Sequence, residues 1–334
     1  MLDDVKFLSI IVTYNRWESL EKSFSALTKQ SYKNLDIVVV NNGSNYDVKK
    51  KLKKFFPGVA NYSVINFPVN IFDLDNLWVL YKFVYNSAIY NRQYDYAFIQ
   101  SDDDFLDKDF YSHIYESVIK NSSPGALIGV PFDYYYESEK VVNINHPKID
   151  KLKEYYSGFD YVSQFMSSYE KDGLNNPGFS YVLRKDILIE SNGFAGGTSS
   201  FELHQILSVL PFVDVVISKE AKMYWGRHDS QTHLELNNNC FNETNEFKKL
   251  ISLYRKKWLK IFGNKTTLIF DHYMSYLILE ENLKNLRCGI KQKSIKTILF
   301  SLINLFNNKS FWKKIILLIP KKFIKWVNEL FRRK

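Results

Sequence analysis

Apolar residues in the first hundred positions of the chain follow two periods. Short apolar runs at residues 7–13 and 35–40 are typical of buried strands. Residues 62–67 and 94–100 are typical of a third and a fourth strand. Residues 17–27 carry apolar side chains at helical spacing, residues 71–90 do the same, and a lysine-rich helix is predicted after residue 44. This alternation predicts an α/β fold with a mostly parallel central sheet and flanking helices.

The pattern weakens beyond residue 130. Aromatic runs at residues 133–136 and 154–156 indicate loops, while residues 179–183 and 212–217 are typical of further strands. Helical spacing dominates from about residue 243 to the end of the chain. We therefore expect an α/β domain followed by a helical C-terminal region.

Polar groups follow three of the four predicted N-terminal strands. The polar groups at these strand ends are residues 13–15 (TYN), 41–44 (NNGS) and 101–104 (SDDD). Open parallel sheets bind ligands at the carboxyl ends of their strands. Adjacent carboxylates repel one another unless a cation lies among them, and oxygen ligands suit Mg²⁺ or Mn²⁺. The alternative is a solvated acidic turn or a helix cap, since Asp107 and Asp109 precede a predicted helix.

Three ordered motifs carry a resemblance to a known family. The motifs are SIIVTYNR at residues 9–16, QSYKNLDIVVVNNGS at residues 30–44, and SDDD at residues 101–104. Together they resemble the family 2 glycosyltransferases of the GT-A fold over roughly residues 6–230. The resemblance implies transfer of a sugar from a nucleotide donor to an acceptor with inversion. It also implies a divalent cation, Mn²⁺ or Mg²⁺, held by a DXD-type motif.

The resemblance assigns residues to the donor side of a site. The residues that it places in the nucleotide pocket are Thr13, Tyr14, Asn15, Asn41, Asn42, Ser44, Ser101 and Asp102. The residues that it places around the metal are Asp102, Asp103, Asp104 and His228, and which aspartate touches the ion stays open. Asn41 and Asn42 depart from the acidic pair common in the family, and Ser101 stands where many members have the first aspartate.

The second half of the chain supplies weaker matches to the same family. The resemblance makes Glu202 the catalytic base, with Gly178 and Phe179 in a loop near the donor and acceptor. His228 would complete the metal shell, and His233 is the second choice for that role. The alternatives are an exposed helix-terminal acid for Glu202 and a structural hydrogen bond for His228.

The resemblance also divides the chain. Residues 1–235 would form the GT-A domain, with a nucleotide-binding half at residues 1–120 and an acceptor half at residues 121–235. Residues 236–334 would form the helical C-terminal region, with a membrane-associating tail at about residues 291–334.

Charge is concentrated in that tail. The net charge of the chain is +9, but residues 281–334 hold 14 lysines and arginines and two glutamates, so the remainder is slightly acidic. Apolar residues at positions 323, 326, 327, 330 and 331 form one helical stripe among these bases. Such a helix suits an anionic membrane surface. The alternative is a helix packed on the body or in a dimer interface, and no nucleic-acid partner is expected; the oligomeric state stays open.

Composition and the absence of other motifs narrow the function class. With 46% hydrophobic residues in 334, the chain is neither disordered nor fibrous. The first residues are not typical of a leader, no apolar run reaches membrane-spanning length, and two cysteines, Cys240 and Cys288, cannot form a disulfide framework. We therefore expect a cytoplasmic protein, peripheral on the inner face of the membrane. P-loop and Rossmann glycine motifs are absent from the sequence.

The resemblance to family 2, taken with the basic tail, implies an inverting glycosyltransferase of surface polysaccharide synthesis. The expected donor is a nucleotide sugar, a UDP-sugar by preference, and the expected acceptor is a saccharide, in particular a lipid-linked one. A nucleotidyltransferase is the enzyme alternative, but residues 13–17 lack its glycine-rich phosphate loop. An inactive membrane-bound scaffold is the other alternative, supported by the amides at Asn41 and Asn42 and by Ser101.

Overall fold

The structure is a computed structural model that describes most of the first 228 residues and a helical part of the remainder. The described residues are 5–71, 84, 86–142, 153–168, 181–191, 193, 207–228, 244–264, 266–271, 274, 275, 278, 282 and 304. The chain divides into two compact units, Met1–Gln231 and Thr232–Lys334. The predicted limits of the domains and of their halves stay a prediction.

The described residues include ten strands and six α-helices with defined bounds. The strands are β1 Phe7–Thr13, β2 Leu35–Asn42, β3 Tyr62–Phe67, β4 Tyr96–Ser101, β5 Phe105–Leu106, β6 Ala126–Tyr135, β7 Lys140–Val142, β8 Tyr155–Tyr156, β9 Tyr181–Arg184 and β10 Val215–Arg227. The helices are α1 Trp17–Thr28, α2 Val48–Phe55, α3 Phe110–Lys120, α4 Gly158–Ser168, α5 Lys185–Glu190 and α6 Thr244–Phe262, with a 3₁₀ turn at Leu210–Phe212. None of the helices in the described ranges is both long enough and apolar enough to cross a membrane.

All of these strands belong to one sheet, in the order β3-β2-β1-β4-β9-β6-β10-β5. Strands β3, β2, β1 and β4 are parallel, and β6 is parallel to β10, whereas β9 is antiparallel to both of its neighbours. Strand β7 pairs with β6, and β8 with β10. Thr13 is opposite Asn41, and Val12 is opposite Ser101. The polar residues that follow β1, β2 and β4 therefore meet at one edge of the sheet.

The predicted α/β fold is confirmed, with local corrections. β1 and β3 have the predicted bounds, and β2 and β4 differ from theirs by one or two residues. The prediction of loops in the aromatic runs was wrong, because Asp133–Tyr135 continues β6 and Tyr155–Tyr156 forms β8. The predicted strand over 212–217 begins later, since Leu210–Phe212 is a 3₁₀ turn with Pro211 near its start. Most of the predicted helix over 71–90 lies outside the described residues.

The core forms where α1 and α3 pack on the sheet. All seven residues of β1 are buried, as expected for a strand covered on both faces. The apolar positions of α1 that define its predicted face are also buried: Trp17, Leu20, Phe24 and Leu27. Aromatic rings join the layers, with the centroids of Phe98 and Phe110 5.5 Å apart. Burial of these faces supplies the main favourable term in folding.

Helix α3 offers a matched test of this core. Ile114 is fully buried, whereas Ile119 on the same helix keeps 42% of its surface exposed. We expect Ile114→Ala to lower the free energy of unfolding by about 2–5 kcal/mol, because it removes packed methyl groups and leaves a cavity. Ile119→Ala should change it by less than about 1 kcal/mol. Urea unfolding of both variants measures the difference. Equal losses of unfolding free energy in the two variants would contradict the packing of Ile114 in the core.

Candidate active site

Two loops at the carboxyl edge of the sheet are fastened together by Asn15. Its backbone is left-handed, with a φ of 55°, a conformation that asparagine adopts more readily than most residues. Its N–H donates to Ser44 Oγ at 3.0 Å, and its Oδ1 accepts from the N–H of Asn45 at 2.8 Å. The loop after β1 is thereby held against the loop after β2, with Tyr14 partly exposed beside them.

The two asparagines that end β2 are engaged within the protein. Asn41 Oδ1 accepts from the N–H of Ser44 at 2.9 Å, and Asn41 Nδ2 donates to Asn66 on β3 at 3.0 Å. Asn42 is fully buried; it donates to Asn70 at 2.7 Å and accepts from the N–H of Ile71 at 3.0 Å. These amides, which replace the expected acids, therefore fix the loop geometry.

Gly43 makes the close approach of these loops feasible. Its φ of 83° is left-handed, and a Cβ at this position would overlap the backbone of Val69. Glycine tolerates both conditions because it has no side chain. The turn after β2 therefore lies directly against residues 69–71.

The acidic turn after β4 buries three consecutive carboxylates. Asp102, Asp103 and Asp104 are 2%, 6% and 7% exposed. Buried charges need partners. Thr13 Oγ1 donates to Asp102 Oδ2 at 2.7 Å, and the N–H of Gly226 donates to Asp104 Oδ1 at 3.1 Å. The first and third carboxylates are thus held by two different strands, β1 and β10.

Asp103 faces a histidine from beyond β10. His228 Nε2 and Asp103 Oδ2 are 2.9 Å apart, and the His228 side chain is 14% exposed. The ring of Tyr136 packs edge-on against the imidazole, with 5.7 Å between centroids, and its hydroxyl donates to the carbonyl oxygen of Asp103 at 2.9 Å. Tyr136 therefore supports both members of the pair.

Arg16 bridges two of the carboxylates. Its Nη1 lies 3.2 Å from Asp102 Oδ1 and 3.3 Å from Asp103 Oδ2. Arg16 directly precedes α1, so the same loop that carries Thr13 also brings this guanidinium to the acidic turn. One positive charge is thereby shared between adjacent acids.

The three carboxyl groups have different acidities. Burial raises the pKa of Asp102 to about 6, although Arg16 and the Thr13 hydrogen bond oppose the rise. Burial, together with the charge of Asp103, raises the pKa of Asp104 well above its usual range. Burial also acts on Asp103, but hydrogen bonds from His228 and Ser101 and the charge of Arg16 outweigh it and lower the pKa. Asp103 is therefore the most readily ionised of the three.

The side chains at this turn suit a metal ion whose remaining ligands come from water and the substrate. Asp103 and His228 converge as one oxygen and one nitrogen ligand, and Asp102 is adjacent. In the described ranges, no three His, Cys, Asp or Glu side chains converge as a complete metal site. Mg²⁺ and Mn²⁺ commonly bind through one or two protein ligands, with water and substrate phosphates completing the shell. The residues present fit such a partial site, with Asp104 directed to Gly226.

The other predicted site residues are not in the described part of the chain. They are Gly178, Phe179, Glu202 and His233, and their roles stay a prediction. Cys240, Cys288 and all but residue 304 of the basic tail also lie outside the described residues.

Sequence reasoning assigned no role to Arg16, Tyr136 and Gly226. Arg16 stood inside the first motif, next to the predicted pocket residues, and its position there was a usable signal. Gly226 stood two residues before His228, in a segment that resembles the family, and this was also a usable signal. Tyr136 had none, because its contacts join segments far apart in the chain. A Cβ on Gly226 would overlap the carbonyl oxygen of Asp103 and stand 2.6 Å from the Tyr136 ring. The acidic turn can pack against β10 because this residue is glycine.

A family model described as glycosyl transferase family 2 matches residues 9–187, which include the acidic turn and the loops around it. The chain belongs to glycosyl transferase family 2. The predicted family and the predicted enzyme class, a glycosyltransferase, are thereby confirmed.

Individual relatives of this family 2 chain are distant. Glycosyltransferase GlyA of Streptococcus pneumoniae serotype 4 is 25% identical over 170 residues, which are 51% of this chain and 22% of GlyA. The match thus spans about a fifth of the length of GlyA.

Solved structures agree with the fold. The S. aureus TarS fragment 1–349 in complex with UDP-GlcNAc superposes with a TM-score of 0.58 at 13% identity, over 88% of this chain and 89% of TarS. The same fragment in a second crystal structure gives a TM-score of 0.54 at 11% identity, with the same coverage. The GT-A fold predicted for this family 2 chain is confirmed.

The contact at Gly226 generates a matched test in this family 2 chain. We expect Gly226→Ala to lower the free energy of unfolding by roughly 1–3 kcal/mol or more, because the new methyl group forces Asp103 and Tyr136 apart. Gly58→Ala is the control, since a Cβ there meets nothing within 4 Å. Thermal and urea unfolding compare the two variants. A Gly226→Ala protein as stable as Gly58→Ala would contradict the close packing described here.

Proposed function

We propose that this chain is an inverting glycosyltransferase that moves a sugar from a UDP-sugar donor to a saccharide acceptor in surface polysaccharide synthesis, such as a capsule or an O-antigen. One observation carries the proposal. The polar ends of three parallel strands meet at one sheet edge, and there Asp103 and His228 lie 2.9 Å apart beside the loops of Thr13 and Asn41. Ligands of open parallel sheets bind at this edge.

The nucleotide would bind between the two fastened loops. Residues 13–15 follow β1, and the amides of Asn41 and Asn42 stiffen the loop after β2. The exposed ring of Tyr14 offers an aromatic surface beside them. The TarS fragment of the same fold binds UDP-GlcNAc, which supports a UDP-sugar as the donor here.

A divalent cation, Mn²⁺ or Mg²⁺, would be held by Asp103 and His228, with Asp102 beside them. When bound, it supplies positive charge that stabilises the diphosphate leaving group. The lowered pKa of Asp103 favours its ionised form, and the hydrogen bond from Tyr136 to its carbonyl oxygen fixes its position. Preorganised charges of this kind need no reorganisation during the reaction.

The transfer itself would be a single displacement. The acceptor hydroxyl oxygen forms a bond to the anomeric carbon while the bond from that carbon to the diphosphate oxygen breaks, so the configuration inverts. Glu202 would take the hydroxyl proton as general base, and the nucleoside diphosphate leaves with the bonding electron pair. A carboxylate is sufficient for this step if it lies within hydrogen-bond reach of the acceptor.

The acceptor is proposed to be lipid-linked. Residues 281–334 hold fourteen lysines and arginines, and six of these flank the apolar stripe at residues 323–331, which supports attachment to an anionic membrane surface from the cytoplasmic side. An enzyme held at that surface meets acceptors that diffuse in the membrane plane.

Donor hydrolysis tests the proposed reaction. The protein is incubated with a panel of nucleotide sugars and Mn²⁺, and the released nucleotide is measured. We expect release from one donor, lost with EDTA and reduced at least about 100-fold in Asp103→Asn, because that change removes a charged ligand from the site.

Asp36→Asn is the matched control for this assay. Asp36 is partly exposed, pairs with Lys6 and lies at the opposite end of β2, so its loss should leave the rate unchanged. Release that survives EDTA and Asp103→Asn would contradict the proposed site. If no donor is turned over and no Mn²⁺-dependent nucleotide binding occurs, the inactive scaffold is the better interpretation.

A further inference from the structure

We propose that Arg16 acts as an internal counter-cation of the acidic turn, and that a divalent cation must displace it from Asp103 to bind. The released guanidinium then pairs with the diphosphate of the donor. This inference rests on the proposed function for the identity of the donor, but its first part concerns the protein and the metal alone. It gives Arg16 a role in the order and coupling of ligand binding.

The contacts at Asp103 Oδ2 carry the first step. His228 Nε2 lies 2.9 Å from this oxygen and Arg16 Nη1 lies 3.3 Å from it. A cation ligated by Asp103 and His228 would need the same oxygen and would stand within a few ångströms of the guanidinium. Two positive charges at such a distance repel strongly in a partly buried site. Metal and Arg16 therefore compete for one carboxylate.

Burial explains why the turn needs this arginine. The side chains of Asp102 and Asp103 are 3% and 9% exposed, and adjacent buried carboxylates repel each other unless a positive charge compensates them. Arg16 reaches one oxygen of each. Without metal, it supplies the charge that the turn requires.

Helix α1 has contacts of its own beyond Arg16. Ser19 and Lys22 follow Arg16 at intervals of three residues, which places them on neighbouring turns of one helix face. The Lys22 ammonium lies 3.5 Å from the centre of the Tyr134 ring and 4.9 Å from the centre of the Tyr136 ring. The Arg16 side chain is 29% exposed, so it can leave the turn towards solvent without moving the helix.

A guanidinium released at this position suits a diphosphate. Its planar set of donors matches phosphate oxygens in a bidentate way. This change of partner would couple the binding of the metal ion to the binding of the nucleotide. The metal ion would free Arg16 to pair with the diphosphate, and the diphosphate would draw Arg16 away from Asp103. Such coupling is reciprocal in free energy. We therefore expect cooperative binding of Mn²⁺ and UDP to the wild-type chain.

Mn²⁺ binding measured by electron paramagnetic resonance in nucleotide-free buffer tests the competition. We expect Arg16→Met and Arg16→Gln to bind Mn²⁺ about tenfold more tightly than the wild type, because the competing charge is gone. Lys53→Met is the control; it removes one exposed positive charge from α2 and should leave the Mn²⁺ affinity within about twofold. Melting temperatures establish that each variant is folded.

A second titration with UDP present tests the exchange. UDP should tighten Mn²⁺ binding to the wild type at least about tenfold, and it should do so less than about threefold in both Arg16 variants. Unchanged, weaker or undetectable Mn²⁺ binding by both folded Arg16 variants in nucleotide-free buffer would overturn the inference, as would full coupling without Arg16. Tight Mn²⁺ binding by the variants in nucleotide-free buffer, combined with neither Mn²⁺-dependent nucleotide binding nor turnover of any donor by the wild type, would support Arg16 as counter-cation and reject the proposed sugar transfer.

Discussion

Burial of three consecutive carboxylates at the end of β4 is the constraint on which this structure depends. Each carboxylate needs its own partner, because a buried charge without one is costly. Thr13 at the end of β1 donates a hydrogen bond to Asp102, and the backbone N–H of Gly226 in β10 donates one to Asp104. His228, which follows β10, pairs with Asp103. The parallel strands at one side of the sheet are thereby tied to β10 at the other side. The fold and the site are stabilised by the same contacts.

The packing behind the acidic turn follows from that constraint. Tyr136 can donate to the Asp103 carbonyl and pack on the imidazole of His228 because Gly226 leaves room for it. Burial raises the pKa of the Tyr136 hydroxyl, which keeps it a donor. Asp103 and His228 are thereby held in a fixed arrangement. Arg16, which precedes α1, adds a positive charge that compensates Asp102 and Asp103.

The loop after β2 is organised by two amides. Asn41 and Asn42 stand where acids are common in the family, and the structure uses their paired donor and acceptor groups to fix the turn after β2. A carboxylate could accept the same backbone N–H groups but could not donate to Asn66 and Asn70. The amides thus bring hydrogen bonds that fix this loop where acids would bring negative charge.

Local patterns determined much of this protein. Apolar periodicity predicted β1, β3 and α1 almost to the residue, because hydrophobic spacing follows the period of a strand or a helix. The three polar strand ends that the sequence singled out do meet at one edge of the sheet. Tertiary structure decided which groups meet: β9 inserts antiparallel between β4 and β6, the tyrosines near residue 135 extend a strand, and Arg16 reaches acids 86 and 87 positions away. Periodicity reports only whether a side chain faces the core. The partner of a buried charge depends on strand order and register, which are properties of the whole sheet.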